Sequence, residues 1–325
     1  MKKALSLALP AALLALTIAA CGSDDDSSGN GTKITATTGI LADITAQVAG
    51  PDAEVEQLIP EGSSPHDFQL SAQDRAGIEG SALLVANGEG LEAGVPVDEI
   101  DVERFELAES VPGLLPFEEA GEHEGEEEHE GEDAAEHGAD AEAEAEHEHG
   151  TVDPHVWMDP ARVAAAVPAL ADALAEADPE HAEGYRSRAE RYAAELVALD
   201  GELERQLARI PAEDRELVTS HDALGYFADR YDFTVVATPF PASGAEAEAS
   251  AGRIAEVEDA IRSTGVPTVF AEAEDDPEVL ELIAEETGVR VEPGLLVESP
   301  GPADGYVEML REDAALIAAS FSPQP

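Results

Sequence analysis

Between Asp178 and Pro211, the residues Tyr185, Ala189, Tyr192, Leu196, Leu199, Leu203, Leu207 and Ile210 recur at steps of three and four, the spacing that lines one face of an α-helix. Asp178-Pro179 supplies a cap followed by proline in the first helical position, and Pro211 ends the run. At 1.5 Å per residue some thirty residues span about 45 Å. That is longer than one small lobe needs, so a helix over 178–210 is expected to bridge two bodies.

The flanks agree with this reading. Lys33 to Thr38, Val55 to Ile59 and Ala82 to Ala86 are short runs of buried-strand character, separated by Ala-rich segments with helical spacing. Beyond Pro211 the same texture returns, with strands expected at Glu216 to Thr219, Phe233 to Ala237, Pro267 to Ala271 and Val289 to Val291, and a terminal helix around Ala303 to Ser320. Such alternation predicts an α/β fold of two (β/α) lobes with mostly parallel sheets, an N-terminal lobe over 32–177 and a C-terminal lobe over 211–325.

The first residues read differently. Met1-Lys2-Lys3 precedes an apolar stretch from Ala4 to Ala20, which leads into Ile18-Ala19-Ala20-Cys21-Gly22. Charged, apolar and small-residue regions follow in the order of a secretory signal, and the stretch is shorter than the roughly 20 apolar residues of a spanning helix. A signal peptide over 1–20 and a Gly/Ser/Asp-rich tether over 21–31 are therefore expected. Cys21 is the only cysteine, so no intramolecular disulfide can form and any metal in the body must be held by nitrogen and oxygen.

The net charge of −55 disfavours nucleic acid and anionic lipid surfaces as partners and favours cations. Histidine usage sharpens that preference. Five of the nine histidines, His123, His129, His137, His147 and His149, fall within 118–150, a stretch of little but Glu, Asp, His, Ala and Gly. With no apolar periodicity it cannot bury a face and is expected to be a disordered insertion. Three others stand in aromatic-bearing contexts: Ser64-Pro65-His66-Asp67-Phe68, Asp153-Pro154-His155-Val156-Trp157 and Ser220-His221-Asp222 running to Tyr226-Phe227. Read singly, each admits a structural role as a turn, helix-cap or strand-end residue. Read together, they suggest a divided site for a transition metal, because neutral imidazole suits zinc, copper or nickel. His181 stands apart near the start of the long helix and is expected to be an exposed surface residue, while Phe68 and Trp157 are expected to pack the walls around the ligands.

These motifs, with Leu58 to Phe68, Val85 to Glu92, Asp153 to Pro160 and Val269 to Pro277 in this order, resemble the metal-binding solute-binding lipoproteins of ABC importers, the zinc-uptake and TroA-like family. The resemblance spans nearly the whole chain after residue 31. It implies two lobes joined by one long helix, with the metal in the cleft between them. Position by position it makes His66, His155, His221 and Asp276 the metal ligands, although Glu272, Glu274 and Asp275 lie close enough to exchange with Asp276. Manganese-type relatives carry Glu where His221 stands, so the third imidazole implies zinc, with manganese or iron as the alternative. A proline usual in the family is replaced by Ala249 before Ser250, which puts the packing of the Gly244 to Ser250 loop in doubt. The histidine-rich insertion resembles the variable loop of zinc-type members, an auxiliary collector of zinc.

The resemblance further implies a monomer that is not an enzyme, captures zinc, and delivers it to an ABC permease driven by a cytoplasmic ATPase. It would be held at the outer face of the cytoplasmic membrane by lipid on Cys21. No P-loop occurs in the chain, so the energy must come from partners. Two readings from other classes are a zinc-dependent hydrolase, disfavoured by the lack of an HExxH helix and by a closed four-ligand set, and a metal-binding adhesin. Mass spectrometry of the mature protein from its native host is expected to find a lipid-modified Cys21 as the N-terminal residue. A free N-terminus at Gly22 or later would contradict the lipoprotein reading.

Overall fold

The computed structural model describes residues 31–117, 152–240, 249–273 and 277–321. Cys21, the segment 118–150 and the carboxylates Glu274, Asp275 and Asp276 lie outside the described residues, as does most of the Gly244 to Ser250 turn. Among the described residues no helix is long and apolar enough to cross a membrane.

The N-terminal half is built on a parallel sheet of β1 (Thr32–Ala36), β2 (Ala53–Gln57), β3 (Leu83–Ala86) and β4 (Arg104–Glu106), ordered β2-β1-β3-β4. All four residues of β3 are buried, as a central parallel strand covered on both faces requires. The crossovers use α1 (Gly39–Ala49), capped by the Thr38 hydroxyl, which accepts from the Leu41 amide, and α2 (Ala72–Glu79), opened by a Ser71/Asp74 capping box. A four-residue helix, α3 (Leu107–Ser110), follows β4. The edge strand β4 was not foreseen, because three residues carry too little periodicity to stand out.

Next come α4 (Pro160–Ala177) and α5 (Ala182–Leu207). Asp159 caps α4 by accepting from the Ala161 and Arg162 amides, and Pro160 occupies its first turn. The long helix expected over 178–210 begins as a 3-10 turn at Pro179–His181 and becomes α-helical at Ala182. Its buried stripe is Tyr185, Ala189, Tyr192, Leu196, Leu199, Leu203 and Leu207, the face read from the spacing. It packs against α4, α1 and the terminal helix.

In the C-terminal half, β5 (Glu216–Val218) pairs in parallel with β6 (Thr234–Ala237), and β7 (Thr268–Glu272) with β8 (Arg290–Leu295). Among the described residues a parallel bridge from Thr219 to Phe270 joins the two pairs. Among the described residues four helices complete it: α6 (Gly225–Tyr231), α7 (Ala251–Thr264), α8 (Glu278–Thr287) and α9 (Tyr306–Ser320). The largest buried cluster runs through both halves, from Ile34 and Val85 through Val156 and Trp157 to Tyr226, Phe227, Leu296 and Tyr306.

His181 lies partly exposed at the surface and carries a structural bond there that its sequence setting does not suggest. Its Nδ1 donates to Asp178 Oδ2 at 2.7 Å, and the same oxygen accepts from the Tyr185 hydroxyl at 2.8 Å and Thr32 Oγ1 at 2.9 Å, tying the start of β1 to the start of α5. Burial opposes ionisation of Asp178, but the donors from His181, Tyr185 and Thr32 outweigh it and hold the carboxyl below its ordinary range. The hydrogen bond to Asp178 in turn raises the His181 imidazole above its ordinary value. The depressed Asp178 contributes stability that is lost as pH falls through its folded value, and the raised His181 contributes stability that is lost as pH rises through its own. The melting-temperature gap between the native protein and His181→Ala should therefore be widest between about pH 4 and pH 6.5 and narrow above that window. A gap unchanged from acid to alkaline pH would contradict this.

Candidate metal centre

Parallel strands direct the loops that leave their carboxyl ends to one edge of the sheet, where α/β proteins place ligands. His66 lies on the loop leaving β2, His221 just beyond β5, Glu272 at the end of β7 and Glu298 three residues after β8. His155 precedes the turn that Asp159 caps into α4. These elements bring the three histidines together, with one ring nitrogen from each of His66, His155 and His221 falling within 4.8 Å of the others. His155 and His221 are buried and His66 is half-buried.

Two carboxylates set the ring orientations. Asp153 Oδ1 accepts from the His155 amide at 2.9 Å and from His155 Nδ1 at 2.8 Å. Glu272 Oε1 lies 2.7 Å from His221 Nδ1 and accepts from the His221 amide at 3.3 Å. A carboxylate only accepts, so Nδ1 carries the hydrogen in both rings and each Nε2 turns its lone pair toward the other. The two Nε2 atoms are 3.4 Å apart, a separation at which facing lone pairs repel unless a proton or a metal ion lies between them. Four donors placed tetrahedrally about 2.0–2.1 Å from zinc are spaced roughly 3.3–3.4 Å from one another.

Thr219 bridges Phe270 in parallel, and two residues further along each segment Glu272 meets His221. Glu272, one of the carboxylates the sequence offered as a ligand, thus stands behind His221. The Ser220 hydroxyl holds its backbone by accepting from the Glu272 amide at 2.9 Å.

Glu298 was not anticipated. Buried at 5 % exposure, it places Oε1 3.5 Å from His66 Nε2 and accepts there from the Ser64 hydroxyl at 3.3 Å. The sequence carries a faint signal for it in the apolar run Leu295-Leu296-Val297, which ends on an acid and a Ser-Pro-Gly turn. Among 72 acidic residues that signal is not distinctive.

The segment carrying His155 is gripped from both halves. Asn87 Nδ2 donates to the Pro154 carbonyl at 2.8 Å, and Glu92 steadies Asn87 by accepting from its amide at 2.8 Å and from Thr37 Oγ1 at 2.5 Å. Burial raises the Glu92 carboxyl despite these donors. From the other half, Trp157 Nε1 donates to the Val297 carbonyl at 2.8 Å and the Tyr306 hydroxyl donates to the Trp157 carbonyl. Trp157 therefore packs beside the site, as expected, and its ring meets the His155 ring edge-on at 5.3 Å. Phe68 is half-buried against Ile78, Leu84, Val95 and Ile100, a separate cluster of the N-terminal half.

The profile of the family described as zinc-uptake complex component A, periplasmic, matches residues 34–320. The high-affinity zinc uptake system protein ZnuA of Bacillus subtilis is 30 % identical over 309 residues, covering 92 % of each chain. The manganese-binding lipoprotein MntA of Halalkalibacterium halodurans is 26 % identical over 320 residues, covering 95 % of this chain and 96 % of its own length. Among solved structures, the periplasmic zinc-binding protein TroA of Treponema pallidum superposes with a TM-score of 0.73 at 23 % identity, covering 90 % of this chain and all of that one. That likeness speaks for the fold, which is α/β with parallel sheets and two lobes.

Trp157→Phe keeps an aromatic ring but deletes the indole N–H that donates to Val297, leaving a buried carbonyl without that bond. Urea denaturation is expected to show a loss of about 1–3 kcal/mol, and an unchanged midpoint would contradict the role given to this bond.

Proposed function

Because the chain belongs to the zinc-uptake complex component A family, we propose that it is a zinc receptor, which binds one ion through His66, His155, His221 and Glu298 and passes it to the importer. Members of the family are extracytoplasmic solute-binding proteins of ABC importers that bind metal and are not enzymes. The observation that carries the zinc reading is the pair of Nε2 lone pairs held face to face by Asp153 and Glu272, 3.4 Å apart, close to the edge of a zinc tetrahedron. Three imidazoles and one carboxylate form a closed nitrogen and oxygen set suited to holding zinc rather than activating water. Glu298 takes the role the family resemblance gave to Asp276.

Manganese is the second reading, favoured by the similarity to MntA along nearly the whole chain. A harder ion would draw on more oxygen donors than this set provides. The partners are a permease and its cytoplasmic ATPase, and lipid on Cys21 would hold the protein, as a monomer, at the outer face of the cytoplasmic membrane. His123, His129, His137, His147 and His149 form an auxiliary collector, since many loose two- and three-ligand combinations gather zinc at modest affinity and release it readily.

The reading is tested by chelator competition on protein lacking residues 118–150. One tight zinc site per molecule should survive the deletion while the weaker sites disappear. In that background His66→Ala, His155→Ala, His221→Ala and Glu298→Gln should each weaken zinc binding by more than about a hundredfold, since outer-shell changes alone cost about 10–100-fold. Asp276→Asn and His181→Ala should leave it unchanged. Loss of the tight site on deletion would place primary ligands in the insertion, loss with Asp276→Asn but not Glu298→Gln would restore the first carboxylate assignment, and tighter manganese than zinc binding would establish the second reading.

A further inference from the structure

Gly225 opens α6 in the C-terminal half, four residues after His221. Nothing in its backbone calls for glycine. Its φ is not in the left-handed region, and alanine is the better helix former. The obstacle to a side chain is a single group, because a Cβ at this position would overlap Asp153 Oδ2, which belongs to the other half of the molecule. That carboxylate cannot move freely. It is buried, and its Oδ1 holds both the amide and Nδ1 of His155. The next residue fixes the backbone of the same segment, with the Tyr226 hydroxyl donating to the Asp153 carbonyl at 3.0 Å and accepting from the Leu115 amide at 3.1 Å.

We propose that Gly225 is a positioning residue for the metal site: the bare backbone at the start of α6 leaves the space in which Asp153 can orient His155. The short segment from His221 to Tyr226 then does two things at once, giving one imidazole from its own half and seating the carboxylate that aims the imidazole from the other. Orientation of His155 is thereby coupled to the placement of the two halves against each other. Any side chain at 225 turns Asp153 away from Nδ1, releases the ring to its other tautomer and spoils the Nε2 donor without touching a ligand. This inference rests on the reading of His155 as a metal ligand.

The test is a zinc-binding cycle in the protein lacking 118–150, using Gly225→Ala, Asp153→Ala, the double variant and His155→Ala, together with nitrogen-15 chemical shifts of the imidazoles in the zinc-free protein. Gly225→Ala is expected to weaken zinc binding about 10–100-fold and to move the His155 shifts from the Nδ1–H toward the Nε2–H tautomer, leaving His181 unmoved. In the Asp153→Ala background, where the obstructing oxygen is gone, Gly225→Ala should cost nothing further. Should Gly225→Ala alone fail to fold, the double variant is still expected to fold and to bind zinc as Asp153→Ala does. A full additional loss in the double variant, failure of the double variant to fold, or unchanged His155 shifts in Gly225→Ala would overturn the proposal while leaving the site reading intact. If His155→Ala itself binds zinc as the native protein does, the site reading fails and the proposal with it.

Discussion

The hydrogen bonds from His155 to Asp153 and from His221 to Glu272 are the interactions on which the proposed metal centre depends. Each takes up the Nδ1 hydrogen of a buried ring and so commits the opposite nitrogen to the space between the rings. An imidazole without such a partner can turn over or exchange tautomers, and its value as a donor falls accordingly. With both rings fixed, two lone pairs face each other at 3.4 Å, an arrangement that gains from a bound cation. In the proposed centre Asp153 and Glu272 orient the imidazoles from behind.

That orientation is inherited from the topology. Strands β5 and β7 run in parallel, and Thr219 bridges Phe270, so the loop bearing His221 and the end of β7 bearing Glu272 emerge side by side. The N-terminal sheet delivers His66 in the same manner from the carboxyl end of β2. Donors from separate strands therefore converge without any one loop carrying a complete site. The two halves do not meet through the long helix alone: Trp157, Tyr306 and Tyr226 cross between them by hydrogen bonds, and Asp43 of α1 accepts from the Tyr306 amide at the start of α9. A continuous apolar core runs beneath these contacts. Because the imidazoles are divided between the halves, an ion bound by them would add to the same interface.

Much of this was legible in the sequence for physical reasons. The stripe from Tyr185 to Leu207 could only be a helix face, and buried parallel strands such as Leu83 to Ala86 announce themselves as unbroken apolar runs. His66, His155 and His221 stood out because only four of the nine histidines lie outside 118–150 and each of these three sits in a distinctive setting. The carboxylates resisted reading. Glu272 and Glu298 are two among many acids, and their opposite roles, behind His221 and beside His66, follow from strand register and loop direction, which composition does not encode. The bond of His181 escaped for a related reason: its partner Asp178 also accepts from Thr32, 146 residues away in sequence, so the structural role of the group was hidden.

The central claim is that a single zinc ion is held by three imidazoles and the Glu298 carboxylate. Zinc-edge X-ray absorption on protein lacking residues 118–150 and loaded with one equivalent of zinc addresses it most directly, with a crystal structure at the zinc anomalous edge to identify the donors. The account predicts a four-coordinate shell of three imidazole nitrogens and one oxygen at about 2.0–2.2 Å, the oxygen belonging to Glu298. A shell of five or six donors dominated by oxygen, or an anomalous peak away from His66, His155 and His221, would contradict it.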